Sequence, residues 1–462
     1  MKSKNCKESD TIMPNQTPAL QPQITPSRRP LPLPVKMLLT LLLSIALGYF
    51  LLVASYLLPI KNITSHVKAS VPTLQAEGQY PFIIDKNWTT VLDNYTDSLM
   101  LSKAAYRSGH PFRDALRNEH TLYGDFDPLE NLIQFASQQH ENSGSPSPYA
   151  RYWHGYLILL KPLLELFTLP QLRILNTILQ IGLTIIMFLS LYKKLGLFYS
   201  LAFLGAITVI NPLITGRSLQ YSSVFYITMI ASLIILHRAE KIRNKHQDIL
   251  LFFMIGIAVA YFDLLTYPIA SLGVPLLILL ASIHTDPTDS HKLSSWLMPM
   301  LTDTIAWGLG YAVMWASKWA LSTAFTDLNV LSDAMNQAVF RLDGQITELR
   351  MTNMAAVAIS INLELLLKTR VLPAFGLFFV VIILSICTHR YMWKTNITRI
   401  VTELLIAFYP IIWDGILKNH SLIHRWMTFR GMAVLTFAIF LIFAGSLQKN
   451  DKLVKDDKWS SS

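Results

Sequence analysis

Long apolar runs, separated by short polar or basic segments, dominate the chain. A helix needs about 20 apolar residues to cross the hydrocarbon core of a bilayer. Ten runs approach that length, which predicts an all-α polytopic membrane protein with about ten transmembrane helices. The predicted spans are residues 37–59, 174–192, 197–215, 220–237, 249–265, 267–284, 296–321, 371–389, 398–417 and 428–447.

One further apolar run, between Tyr152 and Phe167, is shorter than the others. It holds only about eleven consecutive apolar residues and contains the pair Lys161-Pro162. A run of this length is too short for a full crossing, and it favours a re-entrant or interfacial helix at the outer surface.

The polar segments divide the chain into three parts. Residues 1–36 are rich in proline and scattered basic residues, which predicts a disordered cytoplasmic leader. Residues 37–447 form the transmembrane domain, which includes an outer loop over residues 60–150 with short helices. Residues 448–462 form a polar cytoplasmic tail.

The basic linkers predict the orientation in the membrane. Lys193-Lys194, the segments 238–245 and 390–399 and the tail from Lys449 all fall on one side if ten spans are counted. Basic residues beside spans collect on the cytoplasmic side. We therefore expect a multi-pass protein of the cell membrane with both termini in the cytoplasm and the 60–150 loop outside.

Composition supports the membrane class and narrows the partners. The chain is 52% hydrophobic and 15% charged, with a net charge of +10. Basic residues next to spans orient the protein and contact anionic lipid, so the charge does not indicate nucleic acid. Cys6 and Cys387 lie too far apart in the predicted topology to form a disulfide, and no phosphate-binding loop, dinucleotide fingerprint, zinc pattern or nucleophile elbow is present.

Two carboxylates in the first outer loop are the first candidates for chemistry. Asp93 and Asp97 are four residues apart, a spacing that places both on one face of a helix. Such a pair can act as a base, a metal ligand or a proton carrier. In the structural alternative, Asp93 caps a helix that starts near Tyr95 and Asp97 lies in its first turn.

The predicted outer surface also carries more basic residues than orientation requires, which suggests that it binds an anion such as a lipid phosphate or pyrophosphate. His420 and His424 can share a helix face, and either phosphate contact or a plain interfacial turn explains them, since no third zinc ligand is nearby. The outer basic residues are Arg151, Arg173, Arg217, Lys318, Arg341, Arg350, Lys368, Arg370, Arg425 and Arg430.

Three further residues have both a functional and a structural interpretation. Lys318 lies near the outer end of a span, where a lysine can bind phosphate or extend to the interface within an aromatic belt. Asp303 lies in the middle of the same span, where an ionisable residue is costly and hence a functional candidate. Asp263, with Tyr267 nearby, lies at an outer helix end and can face the same cavity or only end a helix.

Taken together, these features resemble the GT-C superfamily of integral-membrane glycosyltransferases. The matching features are a retained first span followed by an acidic outer loop with Asp93 and Asp97, a short apolar element before an Arg-containing span with Arg173, and a late basic outer loop. That late loop contains His420, His424 and Arg430. The spacing of the two acids is wider than in most members, and no large soluble domain follows the last span.

The resemblance implies transfer of a sugar from a polyprenyl-phosphate donor to a cell-envelope glycan or lipid acceptor on the outer face. It makes Asp93 and Asp97 the catalytic candidates, with Asp97 also a candidate ligand for a divalent cation, Mg or Mn. The candidate contacts to the lipid phosphate are Arg151, His154, Tyr267, Lys318, His420, His424 and Arg430. The alternatives are a transporter or flippase of lipid-linked saccharides, and a polymerase or ligase that shares their phosphate chemistry.

Overall fold

The computed structural model describes residues 31–137, 144–244, 247–283, 292–343, 353–388 and 391–449. Most of the predicted leader, nearly all of the predicted tail, Cys6 and Arg350 therefore lie outside the described residues. The first helix begins at Leu33, inside the predicted leader, because Pro32 and Pro34 suit the N-terminal turn of a helix.

The all-α prediction is confirmed, since 78% of the described residues are helical. The helices of the first half are α1 (Leu33–Leu57), α2 (Ile60–Glu77), α3 (Asn94–Ala104), α4 (Pro111–Arg117), α5 (Pro128–Ala136), α6 (Leu157–Leu164), α7 (Leu169–Lys194), α8 (Leu197–Ile210), α9 (Pro212–Thr215), α10 (Leu219–Asn244) and α11 (Asp248–Phe262). Those of the second half are α12 (Ala270–Ser282), α13 (Leu293–Phe325), α14 (Val330–Asp343), α15 (Met354–Lys368), α16 (Val371–Cys387), α17 (Ile397–Ala407), α18 (Tyr409–Ile416), α19 (Lys418–Ile423), α20 (Arg425–Thr428) and α21 (Ala433–Gly445).

Two small antiparallel strand pairs accompany the helices. Strand β1 (His120–Leu122) pairs with β2 (Ser145–Ser147), and β3 (Tyr391–Trp393) pairs with β4 (Leu447–Lys449). The first pair closes the loop that follows α4, so it belongs to the predicted outer region.

Among the described residues, four stretches are helical, long and apolar enough to cross a membrane, or five if the bent pair α15–α16 is one span. The four are Leu33–Leu57, Leu169–Lys194, Leu219–Arg243 and Arg425–Gly445. About ten spans are not confirmed. The apolar helices α8, α11 and α12 have 14, 15 and 13 residues, shorter than the roughly 20 that a crossing needs.

Helix breaks account for several of the shortened spans. The predicted span 197–215 is interrupted at Asn211, whose left-handed backbone and following Pro212 end α8 and start α9. The predicted span 398–417 is also divided before a proline, since α17 ends at Ala407 and α18 begins just before Pro410. Helices α15 and α16 meet at an angle of 61°.

The helices differ in how much of their apolar surface is covered by protein. In the span that ends with α21, 78% of the apolar window is buried, whereas in α1 and α7 only 17% is buried. Exposed leucine and isoleucine side chains cover the outer sides of α1 and α7. In a bilayer such side chains face lipid, so α21 lies in the core of the bundle and α1 and α7 at its rim.

The predicted outer segments contain more helix than the sequence indicated. The segment 60–150 holds α2 to α5, and α2 follows α1 after a break at Leu58–Pro59. The segment 322–370, which lies between the predicted spans 296–321 and 371–389, holds α14 and α15. Helix α3 packs against α2 and α5, which fixes the segment that carries the two candidate carboxylates.

The short run after Tyr152 forms α6, a helix of eight residues that is too short to cross a membrane. Its start is held against the end of α11, because the Gly155 N–H donates to the Tyr261 carbonyl at 2.9 Å. A Cβ atom at Gly155 would lie 2.6 Å from that carbonyl oxygen, so this approach requires glycine. Whether α6 is re-entrant or interfacial stays a prediction.

Candidate active site

Asp93 caps helix α3. The helix begins at Asn94, and Asp93 Oδ1 accepts a hydrogen bond from the Thr96 backbone N–H at 2.8 Å. Asp97 lies in the first turn. The capping interpretation is therefore confirmed, and it leaves the second oxygen of Asp93 available for other contacts.

That second oxygen joins two distant parts of the chain. Asp93 Oδ2 accepts hydrogen bonds from Gln220 Nε2 in α10 and from Trp426 Nε1 at 3.2 Å. The side chain is 1% exposed. Burial raises the pKa of Asp93 above its ordinary value, while the hydrogen bonds from Thr96, Trp426 and Gln220 oppose that rise.

Asp97 is bonded to the start of α10. Its Oδ1 accepts the Leu219 backbone N–H at 2.9 Å and the Ser218 hydroxyl at 3.3 Å. Its Oδ2 lies 3.5 Å from an Arg173 nitrogen but has no hydrogen bond in the described part of the chain. Burial raises the pKa of Asp97 to about 7 against the opposing charge of Arg173. Asp97 thus fixes the N-terminus of α10, which presents Gln220 to Asp93.

Arg173 is occupied by other partners. One nitrogen donates to Glu77 Oε2 at 2.7 Å and another to Asn94 Oδ1 at 2.6 Å. These contacts join α7 to α2 and α3. Arg173 therefore stabilises the position of α3 beside the start of α10.

Aromatic side chains surround Asp93. The Tyr80 ring lies 4.9 Å from Trp426 and 6.1 Å from Tyr95, measured between ring centroids. Trp88 stacks on Trp426 at 6.2 Å, and the Arg425 guanidinium lies 4.4 Å from the centroid of the Trp88 ring. Unlike Asp93, all four rings are partly exposed. We call Tyr80, Trp88, Tyr95 and Trp426 the aromatic wall.

The two histidines lie next to this wall. The rings of His420 and His424 are 4.7 Å apart, and the His424 ring lies 5.5 Å from Trp426. His420 Nε2 is bonded to the Leu265 carbonyl at 2.8 Å, whereas His424 Nδ1 has no hydrogen-bond partner among the described residues. Burial and the nearby Arg341 charge lower the pKa of His424 to about 4, so its ring is neutral at pH 7.

Arg430 and Tyr267 are buried behind the wall. The Arg430 guanidinium donates to the carbonyls of Ile210, Trp426 and Thr89 and lies 4.4 Å from the centroid of the Tyr221 ring. Its side chain is 0% exposed. The Tyr267 hydroxyl donates to the Tyr221 carbonyl at 2.7 Å. A phosphate could reach Arg430 only after a rearrangement of these contacts.

Arg151 and His154 lie beside Tyr149, and the Lys318 side chain lies at the end of α4. Arg151 pairs with Asp333 at 2.8 Å, and its guanidinium lies 4.6 Å from the centroid of the Tyr149 ring. His154 bonds the Tyr149 carbonyl at 2.8 Å, and burial lowers its pKa. Lys318 donates to Ala115 O, Leu116 O and Asn118 Oδ1 at 2.7–3.0 Å, which accounts for its three N–H groups.

The carboxylates do not fit a resident divalent cation. Mg²⁺ requires several oxygen ligands in an octahedron, but Asp93 already accepts three hydrogen bonds and the free oxygen of Asp97 faces Arg173. No group of three His, Cys, Asp or Glu side chains suitable for a metal occurs within the described ranges. The expected Asp97–metal interaction gains no support from this donor set.

Gln220 and Trp426 were not among the residues that we predicted from the sequence. Trp426 lies two residues after His424 in the chain, and this closeness in sequence is the signal that could have found it. Gln220 follows an ordinary helix start, and only the folding of α10 against α3 brings it to Asp93.

Comparisons with family models, curated proteins and solved structures found no match to this chain.

Proposed function

We propose that the protein is a membrane glycosyltransferase that moves a sugar from a polyprenyl-phosphate donor to a cell-envelope glycan or lipid acceptor on the outer face. The observation that supports this function best is Asp93. It is a buried carboxylate with a raised pKa, oriented by three donors beside a partly exposed aromatic wall. Perturbed carboxylates at such positions are typical of acid–base sites.

In the proposed reaction Asp93 is the general base. It takes the proton of the acceptor hydroxyl while that oxygen attacks the anomeric carbon of the donor sugar. The bond from the anomeric carbon to the phosphate oxygen breaks, and the lipid phosphate leaves with the electron pair. A raised pKa helps, because a base works best when its pKa is near the working pH.

Asp97 acts as a positioning residue in this proposal. It bonds the backbone N–H at the start of α10, the helix that supplies Gln220 to Asp93. We therefore expect replacement of Asp97 to lower the rate of sugar transfer, because Gln220 would no longer be held in position to bond Asp93.

The aromatic wall provides flat apolar surfaces next to the base. Pockets for small polar molecules combine such aromatic faces with a few fixed polar groups, and Tyr80, Tyr95 and Trp426 have this arrangement around Asp93. We assign the wall to the sugar rings.

Among the expected phosphate contacts, His424 and Arg151 retain unbonded buried nitrogen atoms among the described residues, namely His424 Nδ1 and Arg151 Nε. We therefore favour these two residues for the leaving phosphate. Lys318 and Arg430 are bonded to oxygen atoms of the protein itself, which favours a structural role for both.

The proposal is tested with Asp93→Asn in purified full-length protein in liposomes, supplied with a panel of radiolabelled polyprenyl-phosphate sugars and an acceptor glycan. Asparagine caps a helix as well as aspartate does, so folding should persist while transfer falls about a hundred- to ten-thousand-fold. The matched control is Asp127→Asn, because Asp127 caps α5 through Leu129 and Glu130. Full transfer by Asp93→Asn would contradict the proposed base.

The orientation has its own test in a variant whose two native cysteines are replaced by serine. We expect a cysteine introduced at the exposed Asp85 to react with an impermeant thiol reagent in intact cells, and one at the exposed Lys241 to remain unlabelled. The reverse pattern would place the 60–150 segment in the cytoplasm.

A flippase of lipid-linked saccharides is the second candidate, and Asp303 favours it. Both carboxylate oxygens of this buried residue lack a hydrogen-bond partner in the described part of the chain, and an ionisable residue within a predicted span is a candidate for a transport path. Under this function Asp303→Asn would stop lipid translocation and Asp93→Asn would not. The glycosyltransferase proposal predicts that Asp303→Asn retains transfer within a few-fold.

A further inference from the structure

A cavity of about 540 Å³ lies outside the site described above. It is bounded by the segment before Val91, by the break between α8 and α9, and by the bend between α15 and α16. Three basic side chains line it, namely Arg217, Lys368 and Arg370. Arg217 is about 150 positions away from the other two in the sequence, so only the fold brings the three charges together.

No acidic side chain lines this cavity. Lys368 pairs with Glu364 one helical turn away, but Glu364 is 61% exposed, and an exposed pair of this kind contributes little. Within the described ranges neither Arg217 nor Arg370 forms an ion pair or a side-chain hydrogen bond. Three like charges around one concavity repel each other, and an anion bound among them relieves that repulsion.

The rest of the lining contains both polar and apolar side chains. Asn87, Thr89, Thr90 and Thr369 contribute short polar side chains. Ile83, Ile84 and Leu213 contribute apolar side chains and are 43%, 52% and 59% exposed. The cavity therefore suits a ligand with an anionic head and an apolar remainder.

A second cavity of about 330 Å³ continues the first. The two share Ile83, Thr177 and Arg217. The second runs along Ile174 and Ile178 of α7, the rim helix that we expect to face lipid. Its acidic residue, Glu77, is already paired with Arg173 at 2.7 Å.

We infer that these joined cavities hold one membrane lipid, with its phosphate headgroup between Arg217, Lys368 and Arg370 and its chain along α7. Guanidinium groups bind phosphate with paired hydrogen bonds, and a volume of several hundred cubic ångströms accommodates such a headgroup. The inference is independent of the proposed transfer reaction, because it concerns binding alone.

Photocrosslinking tests this lipid site in the full-length protein. The protein is placed in nanodiscs of phosphatidylcholine that contain a trace of phosphatidic acid with a photoactivatable acyl chain. Parallel samples carry the same label on phosphatidylcholine. Mass spectrometry locates the crosslinks, which we expect on α7 near Ile174 and Ile178, with phosphatidic acid preferred about ten-fold or more.

The double variant Arg217→Gln/Arg370→Gln should lower phosphatidic acid crosslinking at α7 about ten-fold. The control Arg238→Gln/Lys241→Gln removes two exposed charges at the other end of α10 and should leave it unchanged. Equal labelling by the two lipids, or equal loss in both variants, would overturn the inference. Loss of the phosphatidic acid crosslink when inorganic phosphate is added at the same concentration would assign the cavity to free phosphate. That result would also overturn the inference of a lipid site.

Discussion

Two groups of buried charged side chains lie in or against the segment 60–150, and their partners differ. Lys103, Lys161 and Lys318 are each 0–2% exposed, and each donates to carbonyl oxygens near the end of a helix. Asp93 and Asp97 are equally buried, yet Asp97 Oδ2 has no hydrogen bond among the described residues and Asp93 lies beside partly exposed rings. Burial alone therefore does not identify a reactive group.

The hydrogen bonds of the three lysines explain how their charged groups can be buried. Lys318 and Lys103 donate to the end of α4 and to the Asn118 that caps it, and Lys161 donates to Ala104 and Tyr106 at the end of α3. The carbonyls at a helix C-terminus are unpaired and partly negative, so ammonium groups are stabilised there. The carboxylates, in contrast, retain the capacity to accept a proton.

The largest expected effect is the loss of stability when one of the buried lysines is replaced. Lys318→Met should lower the free energy of unfolding by about 3 kcal/mol or more, because three buried oxygen atoms lose their donor. Thermal melting in detergent measures this. The control Lys193→Met, at an exposed position on α7, should change stability by no more than about 0.5 kcal/mol. Equal stability of the two variants would contradict the structural role of Lys318.

A smaller effect is expected when one hydrogen bond to Asp93 is removed. In Trp426→Phe the aromatic wall is kept, but the indole N–H that lowers the pKa of Asp93 is lost. The acid limb of the transfer rate should move to higher pH, and the rate at neutral pH should fall about ten-fold. Trp319→Phe, which loses a hydrogen bond to the Arg151 carbonyl instead, should keep the wild-type profile. An unchanged pH dependence of the transfer rate in Trp426→Phe would show that this indole does not lower the pKa of the base.

A further effect concerns the dependence of stability on pH. Asp97 has a folded pKa of about 7, above its unfolded value near 4. The folded state then binds the proton more tightly than the unfolded state. The stability that Asp97 contributes is therefore greatest below pH 4 and is lost as the pH rises to about 7. In Asp97→Asn, the decrease in the free energy of unfolding that this carboxyl group causes up to about pH 7 should be absent.

Asp263 provides the comparison for that measurement. Burial raises its pKa to about 6, so Asp263→Asn should alter the slope only up to about pH 6. Thermal melting across pH 4–8 distinguishes the two variants. A wild-type stability that does not fall in this range would contradict the raised pKa of both carboxyl groups.

The sequence predicts part of this molecule well, and the reasons are local. The Asp93 cap and the position of Asp97 in the first helical turn follow from their spacing, and apolar length identifies α1, α7 and α10. The sequence predicts full spans where the structure has the short helices α8, α11 and α12, because apolar composition does not reveal where a helix ends inside a packed bundle. The sequence predicts Arg430 as a phosphate contact. The carbonyl groups that Arg430 bonds in the structure come from distant segments, and no local pattern indicates them.

The most direct measurement is the transfer rate per mole of folded protein for Asp93→Asn and for Lys318→Met, with the folded fraction determined for each preparation. The account predicts that Asp93→Asn is folded and at least about a hundred-fold slower than wild type. It predicts that Lys318→Met yields less folded protein, with a rate per folded molecule close to wild type. If the rates were reversed, so that folded Lys318→Met lost transfer and Asp93→Asn retained it, the assignment of chemistry to the carboxylates and of structure to the lysines would be contradicted.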